Sequence, residues 1–188
     1  MFEQLKVLNI QIFIFSVLLF FIGYALAPTA YYKKIKWLTA YPFFIITLMD
    51  RYFKKDWHPI TIFFVIFLLN SFSLFLNLLS GWAAILPYIF VIYLGINIGV
   101  IMYHSLQGRY YYISLFNPVS IFELPAAWIS ISMAIQFSLV KYFDVDLAEE
   151  ISFQKYMILF LKTVIPLLFL SGIIETILIV IGRNKESD

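Results

Sequence analysis

The sequence contains no cysteine, which excludes disulfide bonds and thiolate chemistry. Charge is also scarce. Asp, Glu, Lys and Arg make up 13% of the 188 residues, against roughly 25% in a soluble domain. A chain so poor in charge cannot cover its own surface in water. Its two histidines, His58 and His104, stand at segment ends without further ligands at a metal-binding spacing. No GxSxG, HExxH, phosphate-loop or dinucleotide fingerprint occurs. Nor is there a basic and aromatic groove motif for RNA or DNA. Neither metal nor cofactor is expected, and nucleic acid is excluded as a partner.

What remains is apolar: 63% of the residues are hydrophobic and 20% aromatic. About 20 consecutive apolar residues span a bilayer as a helix. Five segments qualify, at 7–28, 59–79, 82–103, 119–138 and 156–182. In lipid every backbone group must be paired within its own segment, so these are helices. The expected fold is all-α, a polytopic membrane protein with five transmembrane helices plus an interfacial amphipathic segment. Residues 1–188 read as a single membrane domain without internal repeats. The N-terminal MFEQLK leads into a retained first helix and not a removed signal.

The interfacial segment is the basic, aromatic linker 28–59. Its apolar centre, 37–49, is too short to cross comfortably and is flanked by Lys33, Lys34, Lys36, Lys54 and Lys55. A sixth crossing is the alternative. With five spans, the linker, the 104–118 loop (Arg109) and the tail (Arg183, Lys185) share one side. The other side holds Lys6, Lys141 and Lys155 beside an acidic loop. The positive-inside rule makes the first side cytoplasmic, in a multi-pass protein of the cell membrane. Spans two to five are expected to form a compact bundle, with the first span and the linker peripheral.

Ionisable groups inside a span are functional candidates by default, and there are three: Glu123, Lys162 and Glu175. Glu123 lies roughly 7 Å into the fourth span, and Glu175 lies roughly 10 Å from the end of the antiparallel fifth. Both carboxylates are therefore expected at one level, near the cytoplasmic end. Lys162 enters from the opposite face and can snorkel to it. Two facing carboxylates cannot both keep their charge unless a shared proton, a cation or backbone donors intervene.

Small and polar residues accompany them. Glu123, Ala126, Ala127, Ser130 and Ala134 form one helical stripe, and Gly172, Glu175 and Thr176 another. The second span carries Asn70, Ser73 and Asn77 on one face, and the third a GxxxG spacing, Gly95 to Gly99, around Asn97. Asn70, Asn77, Asn97, Ser130 and Thr176 are the expected polar binding or structural positions. They serve either a site or the packing of five helices. Pro125 is expected in the first turn of its helix, where its missing N–H costs nothing, and Pro166 should kink the fifth span.

"NPVSIFELPAAWISIS" resembles the Pro-His-Gly-x-x-Glu-Leu block of the stage II sporulation protein M family, also called DUF95. "VIPLLFLSGIIETIL" resembles that family's closing Pro-Leu-Leu…Ile-Glu block, and the stretch between is similar to its Asn…Gly…Pro…Asn-Gly core. Together these cover about 59–180, with 59–182 read as the family core. The resemblance implies that Glu123 and Glu175 are the family's two membrane glutamates. It implies Asn70, Gly81, Pro87, Asn97 and Gly99 as further recurrent positions. Where the family often has His-Gly, this chain has Val119 and Ser120, so any role of that histidine is absent.

In character the chain is similar to the members associated with circular bacteriocins, which the resemblance links to peptide maturation, export and immunity. The expected function is thus a membrane subunit of a multi-protein complex that handles a hydrophobic peptide in bacteriocin biosynthesis or transport. The alternatives are a scaffold for envelope or peptidoglycan remodelling, an ion or proton pathway, and an intramembrane peptidase or ligase with Glu123 and Glu175 as catalytic residues. Expected partners are other membrane subunits, a cytoplasmic ATPase, the hydrophobic peptide and a second copy of the chain.

Overall fold

The computed structural model describes residues 8–52, 57–145 and 152–186. Among these, the elements are α1 (Ile10–Tyr32), α2 (Lys36–Tyr52), α3 (Pro59–Leu79), α4 (Leu86–Ser105), α5 (Ser120–Phe143), α6 (Phe153–Leu159) and α7 (Ile165–Glu186). No strand occurs among the described residues. α6 runs into α7 through a wide π segment, Phe160–Val164, so five helices are long and apolar enough to cross a membrane. The all-α, five-span reading holds. Of the charges used above to orient it, Lys6, Lys54 and Lys55 lie outside the described residues, as does the side chain of Lys185.

α5 sits in the middle. One buried cluster joins it to α3 and the α6–α7 helix, around Leu74, Leu78, Met133 and Tyr156. A second joins it to α1 and α4, around Phe20, Tyr24, Val91 and Ile131. The expected stripe is used here: Ala126, Ala127, Ser130 and Ala134 are all buried. The Ser130 hydroxyl donates to the Leu74 carbonyl on α3 (2.6 Å). The turn between α3 and α4 is laid against the same helix, since a Cβ on Gly81 would come 2.7 Å from the Ala134 carbonyl oxygen.

α1 is not peripheral, contrary to expectation. It packs backbone to backbone against α4 along Gly23 and Ala27 on one side and Gly95 and Gly99 on the other. A Cβ at Gly23 would lie 2.0 Å from the Ile92 carbonyl oxygen, and one at Gly95 would lie 2.2 Å from that of Phe20. Small residues four apart let helices approach this closely in lipid, where dispersion and backbone contacts replace the hydrophobic effect as the driving force. Hydropathy alone marked α1 as a span but carried no information on its partner.

The contacts also settle whether α2 crosses. α1 ends beside the end of α4, with Tyr31 bonded to His104 (3.1 Å). The start of α3 lies beside the end of α7, with Arg183 donating to the Trp57 carbonyl (3.1 Å). α5 starts on that side too, because the bond of Ser130 to Leu74 sets Val119 about 6 Å inside the start of α3. All five ends share one side. The four residues joining α2 to Trp57 reach at most about 18 Å, too short to return across a core of about 30 Å. α2 therefore stays on the side where it begins, with Thr39 and Pro42 buried and Trp37 and Phe44 exposed. Lys33, Lys34, Lys36, Arg109 and Arg183 share that side, opposite Lys141 and Lys155.

Pro125 departs from expectation, and Pro166 is accompanied by a local change in the helix. α5 begins at Ser120, which places Pro125 in the second turn, inside the helix. Pro166 lacks the N–H that would bond the Lys162 carbonyl, and the chain answers one turn earlier with the π segment, where Ile165 donates to Phe160, five residues back.

This topology predicts a labelling pattern. The chain has no cysteine of its own, so single cysteines at the exposed positions Lys36 and Gln154 report cleanly. An impermeant maleimide added outside intact cells should label position 154 and leave 36 unmodified until the membrane is opened. Labelling of both from outside would contradict the arrangement.

Candidate functional site

The segment "NPVS" is a helix start. Asn117 Oδ1 accepts from the Ser120 N–H (2.9 Å), and the Asn117 carbonyl accepts the first helical bond, from Ile121. Asn117 thus closes the turn that leads into α5, and Pro118 lies in that turn, ahead of the helix that starts at Ser120, where its missing N–H is harmless. The Asn117 amide also donates to the Ser114 carbonyl (2.8 Å) and the Ser120 hydroxyl (2.7 Å), locking the loop to the helix. Glu123 follows in the first turn, where the helix dipole favours a carboxylate.

The loop is held by a tyrosine pair. Tyr24 and Tyr111 stack with centroids 4.4 Å apart and planes 6° from parallel. Each hydroxyl donates to the other residue's carbonyl, at 2.7 and 2.5 Å. The second bond has a local cause. Pro28, four residues beyond Tyr24 in α1, has no N–H, so the Tyr24 carbonyl lacks its helical donor. The Tyr111 hydroxyl takes that place. Burial pushes its phenol well above its usual value, so it stays a donor.

Glu175 faces this region from α7, one turn beyond Ser171. The expectation of one common level needs correction. From the Ser171–Val119 contact, Glu123 lies four residues toward the bilayer centre and Glu175 four residues toward the surface, about 6 Å each way. Side chains on a helix lean toward its N-terminus. On antiparallel α5 and α7 this tilts Glu123 outward and Glu175 inward, so the side chains lean toward each other and narrow the offset between their backbones. Both residues are half-buried, and among the described residues neither has a hydrogen bond or ion pair. Lys162 is exposed elsewhere on the same helix.

The other polar positions divide. Ser130 and Thr176 spend their hydroxyls on backbone carbonyls, Leu74 (2.6 Å) and Gly172 (2.7 Å), and serve packing. Asn70 is half-buried on α3, and Asn77 is buried with its Nδ2 unpartnered. Asn97, also buried and with Oδ1 unpartnered, belongs to α4 and not to the three helices around the glutamates. His58 caps α3 and His104 bonds Tyr31. Among the described residues no three His, Cys, Asp or Glu side chains converge.

A groove lies on the other face of α5. It measures about 540 Å³ and is lined by Phe21 and Tyr24 of α1, Leu115 of the loop, and Ser120, Leu124 and Trp128 of α5. Its rim residues Phe21, Phe116 and Ile121 are exposed, which at this depth means exposed to lipid. No motif announced it. Leu124 and Pro125 line it from α5, and the buried Tyr24 and exposed Phe21 line it from α1.

A model of the family described as "Stage II sporulation protein M" matches residues 11–178. The chain belongs to the stage II sporulation protein M family. The match reaches back through α2 and nearly all of α1, well beyond the 59–180 stretch whose motifs carry the resemblance. The α1–α4 seam and the Tyr24 anchor thus fall inside the family region together with both glutamates. No curated protein and no solved structure matches the chain.

Proposed function

We propose that this stage II sporulation protein M family member is a multi-pass subunit of a complex in the cell membrane, and that the complex handles a hydrophobic peptide, as in bacteriocin-type maturation, export or immunity. The observation that carries the reading is the groove between α1 and α5. It has the size of a ligand site, within roughly 300–1,000 Å³, and it is apolar and open sideways to lipid. A peptide already dissolved in the bilayer would reach it without leaving the hydrocarbon. Lys33, Lys34, Lys36 and Arg109, gathered at one end of the bundle, suit docking of an acidic surface on a cytoplasmic ATPase or another subunit.

The test is site-specific photocrosslinking in proteoliposomes with a biotinylated Leu/Ala-rich helical peptide of about 20 residues, long enough to span. A photoreactive residue at Ile121, on the groove rim, should capture the peptide several-fold more than one at Ile177, which is exposed on α7. Equal capture at both positions would mean random collision in the bilayer and would remove the peptide reading.

A further inference from the structure

We infer that the α3–α5–α7 interface is a proton pathway with Glu123 and Glu175 as its titrating gate. The starting point is a set of buried polar atoms without protein partners: Ser71 Oγ, Asn77 Nδ2, Tyr156 Oη and Thr163 Oγ1. Tyr156, Thr163 and Asn77 are at most 7% exposed. In hydrocarbon such groups demand a partner, and where the protein offers none, water fills the role.

Their levels form a series. The Ser130–Leu74 bond aligns α5 with α3, and the Phe75–Phe160 ring contact (6.0 Å) aligns α3 with the α6–α7 helix. On this scale Glu123 stands level with residue 67 of α3. Asn70 follows about 4.5 Å deeper along the axis, and the levels of Ser71 and Thr163 lie about 1.5 and 3 Å beyond it. Asn77 lies about 9 Å further, with the Ser130 hydroxyl between, and Tyr156 about 3 Å beyond. Tyr156 is one turn from the start of α6 at the opposite membrane side. The polar groups thus run from the gate to the far surface in steps of at most about 9 Å along the bundle axis. The π segment contributes as well, because Thr163 lies inside it and its widened turn changes which carbonyls are free.

Few charges face this route. α3 carries no ionisable residue, α5 only Glu123 before Lys141, and α7 only Glu175 before Arg183, while α6 carries the exposed Lys155 next to Tyr156 at the far end of the route. Arg183 reaches the Trp57 carbonyl, and Lys162 is exposed off the route. Either carboxylate can take a proton from the chain of waters and hydroxyls and release it to the other side. Only O–H bonds form and break, and no electrons are transferred. A lining of hydroxyls and amides with one gate of shared charge suits a proton better than a hydrated ion.

The purified protein in liposomes containing a pH-sensitive dye tests this after a drop of one unit in the external pH, with potassium and valinomycin clamping the potential. Parent vesicles should acidify at least tenfold faster than protein-free ones. Glu123→Gln and Glu175→Gln should return the rate to the protein-free level, Tyr156→Phe should lower it at least threefold, and Lys162→Gln should leave it unchanged. Tyr156→Phe keeps the ring in place and decides the matter if a Gln variant melts early in detergent. Parent flux equal to protein-free vesicles, or Gln and Phe variants conducting like the parent, would overturn the pathway. The assay contains no peptide or partner, so its outcome is separate from that of the crosslinking.

Discussion

Gly95→Val should cost about 3 kcal/mol of stability, enough to leave much of the protein unfolded in detergent. The new Cβ would fall 2.2 Å from the Phe20 carbonyl oxygen and 2.8 Å from the Tyr24 nitrogen. Both are backbone atoms in the middle of α1, so no rotamer change relieves the clash. The helices must separate, and the contacts of Phe20, Tyr24 and Ala27 with α4 go with them. Gly23→Val should behave alike from the other side, against Ile92. Gly182→Val is the control, since nothing lies within 4 Å of a Cβ there, and it should stay within about 0.5 kcal/mol of the parent. SDS titration in mixed micelles, followed by circular dichroism, gives the comparison. If Gly95→Val unfolds at the same SDS fraction as Gly182→Val, the close seam does not exist.

Tyr111→Ala should be destabilising by about 3–5 kcal/mol, through loss of the stacked ring and a buried hydrogen bond. Tyr111→Phe separates the two contributions. It keeps the stack on Tyr24 and removes only the hydroxyl, leaving the Tyr24 carbonyl without a donor in a non-aqueous setting, at about 1–3 kcal/mol. The proline explanation makes a sharper forecast. Pro28→Ala restores an N–H four residues beyond Tyr24, so the Tyr111→Phe/Pro28→Ala double variant should recover most of the loss. The double-mutant cycle should show coupling of about 1–2 kcal/mol. Strict additivity would mean that the hydroxyl is not standing in for the missing helical bond. Because the same loop carries Asn117, Tyr111→Ala should also raise proteolysis around residues 106–119.

How far the site could be read ahead of the structure depended on the kind of signal. Glu123 and Glu175 stood out because a carboxylate inside an apolar run has few bland explanations. Their sequence positions also supported antiparallel helices with both groups near one end. The offset between them was not legible, since it depends on where Ser171 meets Val119 and on the lean of side chains toward helix N-termini. Tyr156 and Thr163 gave no warning at all. A tyrosine near a span end normally reads as an interface anchor, and only packing against Leu74, Leu78 and Met133 reveals it as buried.

Class and the number of apolar spans were determined by the sequence by itself. Transfer from water to lipid is a summed property of about 20 residues, and basic residues distribute by side whatever the helices touch. The side that holds Lys33, Lys34, Lys36, Arg109 and Arg183 was legible for the same reason. Only the tertiary structure decided which helix lies against which. In lipid every face of a span is apolar, so hydropathy cannot mark the packed face. Close contact is set by small residues, backbone approach and scattered hydrogen bonds. That is why α1 moved from the expected periphery onto Gly95 and Gly99 of α4. It is also why Tyr111 came to repair the gap left by Pro28, and why the buried polar groups of α3 and α6 line up with two glutamates distant from them in the chain.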